Sequence, residues 1–116
     1  MSESPREWQF YVNDMLRFCE AVLAYTTGMD EQAFIQNRLV YDATLRNLEL
    51  IGEAATKIPE QMRGENPDIP WRKIIATRNR LIHGYLGIDD EILWNIISAD
   101  IPVLQAQLSE LGGPSA

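Results

Sequence analysis

Apolar residues recur every three or four positions through most of the chain, and this spacing limits the folds open to it. The first such run lies before Gly28 and comprises Trp8, Tyr11, Val12, Met15, Cys19, Val22 and Leu23. Residues spaced in this way share one face of an α-helix. No stretch shows the strict alternation of apolar and polar residues that marks a half-buried strand. The pattern therefore predicts an all-α fold, a bundle of four to five helices.

The first two predicted helices have recognisable ends. Ser4 and Glu7 can form a capping box at the start of the first helix, and Gly28 favours the left-handed conformation that ends one. Asp30 can cap a second, longer helix that ends near Pro59. The apolar positions of this second helix are Phe34, Leu39, Tyr41, Leu45, Leu48, Ile51 and Ala55.

The second half of the chain predicts two further helices. The stretch "PEQMRG" can add a short helical turn, and "ENPDIP" is a loop because its prolines cannot continue a helix interior. A third helix starts around Pro70, and Gly84 and Gly87 bracket its end. A fourth begins at Asp89 and runs toward residue 108, with a bend expected at Pro102.

Length and composition fit one small domain. We assign residues 1–116 to a single domain with an ordered core of about residues 5 to 110. The single Cys19 excludes an internal disulfide and indicates a reducing compartment. The N-terminus shows no signal-peptide pattern, and the longest apolar run, "AVLAY", is far too short to span a bilayer. These features predict a soluble, cytoplasmic protein with no membrane partner.

Positive charge is concentrated in residues 71 to 85, which include the stretch "RNRLIHGY". Four of the ten basic residues lie there, namely Arg72, Lys73, Arg78 and Arg80, whereas all 17 acidic residues lie elsewhere. The rest of the chain keeps six basic residues and is strongly acidic. This asymmetry argues against general coating of nucleic acid but leaves room for a local basic site.

Arg78 conflicts with the apolar pattern of the third helix. It falls in the middle of the stripe formed by Trp71, Ile74, Ile75, Leu81 and Ile82. An arginine on a core-facing stripe needs a partner. One interpretation is an ion pair with an acid of the second helix, such as Glu49 or Glu53. The other is that the stripe lines a cleft or a subunit interface, and the two are compatible.

His83 is the only histidine and lies near the end of the same helix. A histidine there often does no more than interact with the helix dipole. It lies about 140° around the helix from Arg78, so one chain cannot easily direct both at one small group. A two-fold dimer would bring two histidines and two arginines to one cleft. No ligand spacing for a metal and no glycine-rich phosphate loop is evident.

The chain resembles the HepT-like toxins, a branch of the HEPN domain superfamily. "RNRLIHGY" matches their Arg-x4-His-x-Tyr motif. Three longer stretches resemble the family in the same order, and together they cover most of residues 5 to 110: "YDATLRNLELIGEAATKIPE", "IPWRKIIATRNRLIHGYLGID" and "EILWNIISADIPVLQAQL".

The resemblance implies a dimeric helical bundle with endoribonuclease activity that needs neither metal nor cofactor. It makes Arg78 and His83 the catalytic pair, with Asn79 between them. It also implies a toxin of a type II/VII-like toxin–antitoxin pair, with a minimal nucleotidyltransferase (MNT) antitoxin as partner. That partner would silence the toxin by transferring AMP to Tyr85.

The residue types suit RNA cleavage, because the ribose 2′-OH can supply the nucleophile. His83 can transfer protons near neutral pH, and Arg78 can hold the phosphate and stabilise the added charge. Supporting RNA contacts are predicted at Asn79 and at the other basic residues of the segment, namely Arg72, Lys73 and Arg80.

Two other functions remain open from the sequence. In one, the chain is a non-catalytic helical partner of a minimal nucleotidyltransferase. In the other, it is a structural helical dimer whose basic segment pairs with its own acidic surface. Trp71 is also available in principle to stack on an RNA base.

Overall fold

A computed structural model describes residues 7–83 and 88–112, and every regular element in these ranges is helical. The elements are α1 Glu7–Tyr25, α2 Glu31–Gln36, α3 Arg38–Thr56, α4 Glu60–Glu65, α5 Trp71–His83, α6 Asp90–Asn95, a π-helical turn Ile96–Asp100, and α7 Ile101–Gly112. No strand occurs within the described ranges. The predicted all-α class is therefore confirmed.

Helix α3 lies at the centre of the bundle. It packs against α1 on one side and α5 on the other, while α7 packs against α1. The core between these helices is built from the predicted apolar faces, and its largest fully buried side chains include Phe34, Met15, Ile58, Leu93, Ile97 and Leu108. Cys19 is also fully buried, as predicted, and burial raises the pKa of its thiol to about 12.

The predicted second helix is wrong in one respect, because it is two helices rather than one. Asn37 adopts an extended backbone conformation between α2 and α3. Its side-chain oxygen accepts a hydrogen bond from the Val40 N–H, and its own N–H donates to Ala33 O and Phe34 O. Asn37 thus ends one helix and caps the next, which is a role that asparagine performs well. The break turns the fully buried Phe34 toward Tyr41 and Trp94, whose rings it contacts.

The irregularity in the last predicted helix begins before Pro102. Residues Ile96–Asp100 form a π-helical turn, and the Ile101 N–H donates to Ile96 O, five residues back. Proline has no N–H to donate and its ring collides with the carbonyl four residues earlier in a regular helix. The wider turn therefore lets the chain continue as α7.

The other predicted boundaries agree with the structure where it describes them. Asp30 accepts a hydrogen bond from the Ala33 N–H at 2.8 Å, and Asp89 accepts one from the Glu91 N–H at 2.7 Å. Gly28 has a positive φ of 77°, so glycine is required there for the turn after α1. The predicted cap at Ser4 and the glycines at 84 and 87 lie outside the described residues.

None of the helices in the described ranges combines the length and the apolar character needed to cross a membrane. The cytoplasmic location and the assignment of residues 1–116 to one domain stay predictions.

Candidate functional site

The site is built on α5, which carries the predicted Arg78 and His83 on one continuous helix. The helix begins directly after Pro70, whose carbonyl accepts a hydrogen bond from the Ile74 N–H at 3.0 Å. Trp71 and Leu81 are its buried anchors. The basic residues between these anchors are therefore held on a regular helical frame rather than on a loop.

Arg78 lies where α5 approaches α3 most closely. The contact is with Gly52, whose missing side chain leaves the space that Arg78 occupies. A Cβ on Gly52 would overlap the Arg78 Cβ, and it would lie 2.9 Å from the Arg78 Cγ and 3.1 Å from Ile74 O. The stem of Arg78 is therefore fixed by packing against a glycine of the neighbouring helix.

The polar end of Arg78 has few partners. One guanidinium nitrogen, Nη1, donates to Asn79 Oδ1 at 2.9 Å, while Nε is buried and has no hydrogen-bond partner in the described structure. Of the two interpretations of Arg78, the ion pair with Glu49 or Glu53 is wrong, because Arg78 pairs with no carboxylate of the described residues. Glu49 instead accepts from Arg46 at 3.3 Å. Arg78 thus keeps donor capacity for a ligand.

His83 is exposed at the last described position of α5. Five residues along a regular helix separate it from Arg78, which corresponds to about 7.5 Å along the axis and about 140° around it. The predicted divergence of the two side chains therefore follows from the helix that the structure describes. His83 lies instead on the helical face of Asn79 and Arg72, four and eleven residues earlier.

The remaining predicted site residues separate into two groups. Arg72 and Asn79 are exposed on one face of α5 and line a groove between α4 and α5. Lys73 lies on another face, where its ammonium pairs with Asp100 Oδ2 at 2.8 Å. Arg80 is exposed, and Tyr85 lies outside the described residues.

One residue that the sequence did not single out also lines the groove. Arg63 on α4 faces it, and its Nε is buried without a hydrogen-bond partner in the described structure. The sequence signal was weak, because "PEQMRG" shows only a short helix with one arginine. Trp71 is 8% exposed and its indole N–H donates to Asn66 O at 3.0 Å. Most of the Trp71 ring therefore serves the core, which leaves little of it for the base stacking that the sequence left open.

Among the described residues, no three histidine, cysteine, aspartate or glutamate side chains converge in a way that could hold a metal ion. The chemistry that the arrangement can perform is anion binding by arginine together with proton transfer by an exposed imidazole.

The family model described as "Ribonuclease HepT-like" matches residues 15–111. The chain belongs to the HepT-like family. The resemblance inferred from the motif and its flanking stretches is thus confirmed. Ribonuclease activity is accordingly supported at the level of the family.

Several relatives of this HepT-like chain carry ribonuclease names. It is 35% identical over 105 residues to "Putative RNase MJ1380" of Methanocaldococcus jannaschii, covering 90% of this chain and 96% of the relative. It is 33% identical over 106 residues to "Probable ribonuclease HepT" of Thermococcus cleftensis, covering 91% of this chain and 96% of the relative. It is also 33% identical over 101 residues to "Putative RNase TTE0752" of Caldanaerobacter subterraneus subsp. tengcongensis, covering 87% and 90%. No solved structure gave a significant match.

Proposed function

We propose that this HepT-like chain is an endoribonuclease that cleaves RNA without a metal ion, at a composite site between two copies of the chain. The observation that carries the proposal is Arg78, which is held against Gly52 with its Nε buried and without a carboxylate partner in the described structure. A guanidinium in this state is suited to a phosphate, because phosphate oxygens accept the donors that the protein leaves open.

The proposed reaction uses the RNA itself as the source of the nucleophile. The 2′-OH attacks the adjacent phosphorus, the bond from phosphorus to the 5′-oxygen breaks, and a 2′,3′-cyclic phosphate and a 5′-OH are formed. One histidine removes the proton of the 2′-OH, and a second delivers a proton to the leaving 5′-oxygen. Arg78 binds the phosphate and stabilises the charge that develops on its oxygens.

A homodimer is proposed because one chain supplies a single histidine. His83 and His83 of the partner subunit would provide the two proton-transfer groups, if two-fold symmetry brings the two α5 helices together. Ile82, adjacent to His83, supports this arrangement because it is a large apolar side chain left 42% exposed on α5. Light scattering of the wild-type protein should give twice the 13.2 kDa chain mass.

The regulation that we propose follows from the Arg-x4-His-x-Tyr resemblance. The chain would be the toxin of a type II/VII-like toxin–antitoxin pair, and a minimal nucleotidyltransferase antitoxin would transfer AMP to Tyr85. An AMP anion two residues from His83 would compete with RNA phosphate for the basic segment. Incubation with the partner and ATP should add about 329 Da to the wild type and nothing to Tyr85→Phe. An equal adduct on both proteins, or on neither, would count against Tyr85 as the acceptor.

The test of the activity is cleavage of cellular RNA by purified protein in the presence of EDTA. We expect wild-type protein to cleave and to leave 2′,3′-cyclic phosphate ends, and His83→Ala to be inactive yet folded. Loss of the exposed imidazole removes at most a helix-dipole contact of about 0.3–1 kcal/mol. An inactive wild type that still binds a nucleotidyltransferase would favour the non-catalytic partner role.

A further inference from the structure

The arginines of the described chain differ in whether an acid neutralises them. Three outside the α4–α5 region form ion pairs, which are Arg17 with Asp14 at 2.8 Å, Arg38 with Asp42 at 3.3 Å and Arg46 with Glu49 at 3.3 Å. By contrast Arg63, Arg72 and Arg78 form no ion pair with any described residue. In a chain with 17 acidic residues, three arginines of one region without an ion pair among the described residues favour an anionic ligand.

Two of these arginines line one groove, and the third is joined to a residue of that groove by a hydrogen bond. Arg63 from α4 and Arg72 from α5 line the same groove, which has a volume of about 530 Å³. The groove is shallow and largely open to solvent, which suits a chain that lies along a surface rather than an enclosed small ligand. Asn79 also lines the groove, and its side-chain oxygen accepts the hydrogen bond from Arg78. Asn79 therefore links the groove to the guanidinium of the proposed cleavage site.

The donors in this region are already desolvated. Arg63 Nε and Arg78 Nε are both buried, and neither has a hydrogen-bond partner in the described structure. A buried donor without an acceptor is unfavourable, so a phosphate that offers an acceptor after a small rearrangement of the side chain would offset that cost. The apolar wall of the groove, formed chiefly by Ile75 and Ala76, offers a surface for a sugar beside such an acceptor.

We infer that the α4–α5 groove is a second phosphate-binding subsite, in which Arg63 and Arg72 hold the RNA backbone next to the phosphate bound by Arg78. The inference rests on the proposed ribonuclease function and names where the substrate chain continues from the cleaved bond. Glu60 also lines the groove. Its carboxylate opposes any anion in the groove, so the two arginines must outweigh this repulsion when a phosphate binds.

The test measures binding of a 2′-O-methyl RNA 12-mer, which lacks the 2′-OH nucleophile and cannot be cleaved by the proposed reaction. The wild type is compared with Arg63→Ala and with the matched control Arg17→Ala. Each variant removes one positive charge, and Arg17 lies on α1 in an exposed ion pair. We expect Arg63→Ala to bind about tenfold more weakly than the wild type. The plot of log affinity against log salt concentration, whose slope is negative, should become less steep by about 0.7, the value for one lost phosphate contact with a single strand.

Arg72→Ala should reduce the steepness of the salt dependence by the same amount, and it replaces Arg63→Ala in the test if that variant does not fold. Arg17→Ala should match the wild type. Equal affinity and slope for Arg63→Ala, Arg72→Ala and Arg17→Ala would overturn the subsite. The two proposals fail separately. If binding depends on these arginines but the protein does not cleave unmodified RNA, only the proposed ribonuclease activity is refuted. If the protein cleaves RNA but binding does not depend on these arginines, only the proposed subsite in the groove is refuted.

Discussion

Arg78 packs directly against Gly52 at the crossing of α3 and α5, where a Cβ on Gly52 would overlap the Cβ of Arg78. Within the described chain, no carboxylate orients the arginine, and the side-chain hydrogen bond that it makes there goes to its sequence neighbour Asn79. The position of the guanidinium therefore depends on helix packing. This makes Gly52 part of the site although it carries no chemistry itself.

Gly52→Ala should lower RNA cleavage by about 100-fold, because α5 must move and a displacement of about 1 Å can have that effect on a positioned group. It should also lower the free energy of unfolding by about 1–3 kcal/mol through overpacking. Cleavage rate per folded molecule and denaturant unfolding measure the two effects. Gly64→Ala is the control for stability, since a Cβ there meets no atom within 4 Å. Wild-type cleavage by Gly52→Ala would refute the role of this contact.

Arg78→Ala should abolish cleavage, and Arg78→Lys should restore little of it, because an ammonium lacks the planar fork of donors that matches a phosphate. The stability of Arg78→Ala can change in either direction, since the variant also removes a buried donor that lacks a partner. Arg46→Lys, an exposed arginine paired with Glu49, should leave cleavage unchanged. Full activity of Arg78→Lys would show that only a positive charge is needed.

Ile82→Asp should convert the proposed dimer into a 13.2 kDa monomer and abolish cleavage without unfolding the chain. The side chain is already partly exposed, so the aspartate costs little in the monomer and much in an apolar interface. Leu39→Asp is the matched control, because Leu39 is 80% exposed on α3, which we do not place in the interface. Sedimentation and cleavage that match the wild type would exclude Ile82 from the interface.

Tyr41→Phe should destabilise the fold by about 1–2 kcal/mol, because the Tyr41 hydroxyl donates to Asp90 Oδ1 at 2.7 Å and ties α3 to the start of α6. Burial, and then the hydrogen bond to Asp90, raise the pKa of Tyr41 from 10.0 to about 12. A raised pKa means that the contribution is complete below pH 10 and is lost as pH rises toward 12. The free energy of unfolding, measured from pH 10 to pH 12, should fall less steeply with pH for Tyr41→Phe than for the wild type. Parallel curves would contradict the assignment.

Local sequence signals predicted most of the fold. The caps at Asp30 and Asp89, the turn at Gly28 and the loop before Pro70 depend on interactions within a few residues, so the sequence contains them. The break at Asn37 escaped prediction because the apolar period continues across it. An asparagine side chain can cap a helix or point to solvent with equal ease, and only packing decides.

The unusual position of Arg78 was visible in the sequence, whereas its surroundings were not, and the roles of the site residues stay predictions. The conflict between Arg78 and its apolar stripe was visible in the sequence, and the structure explains it by Gly52, 26 positions earlier in the chain. The pairing of Lys73 with Asp100 and the groove shared by Arg63 and Arg72 also join separate helices. Such contacts depend on how α4, α5 and the π-helical turn pack, which no local pattern encodes.

The measurement that tests the composite site most directly is RNA cleavage, in EDTA, by a dimer in which only one subunit carries His83. Differently tagged wild-type and His83→Ala chains can be co-expressed and the mixed dimer purified. If both histidines serve one cleft, the mixed dimer should lose at least about 100-fold in rate, the usual contribution of a proton-transfer group. A mixed dimer that keeps half of the wild-type rate would contradict the composite site, because each chain would then cleave on its own.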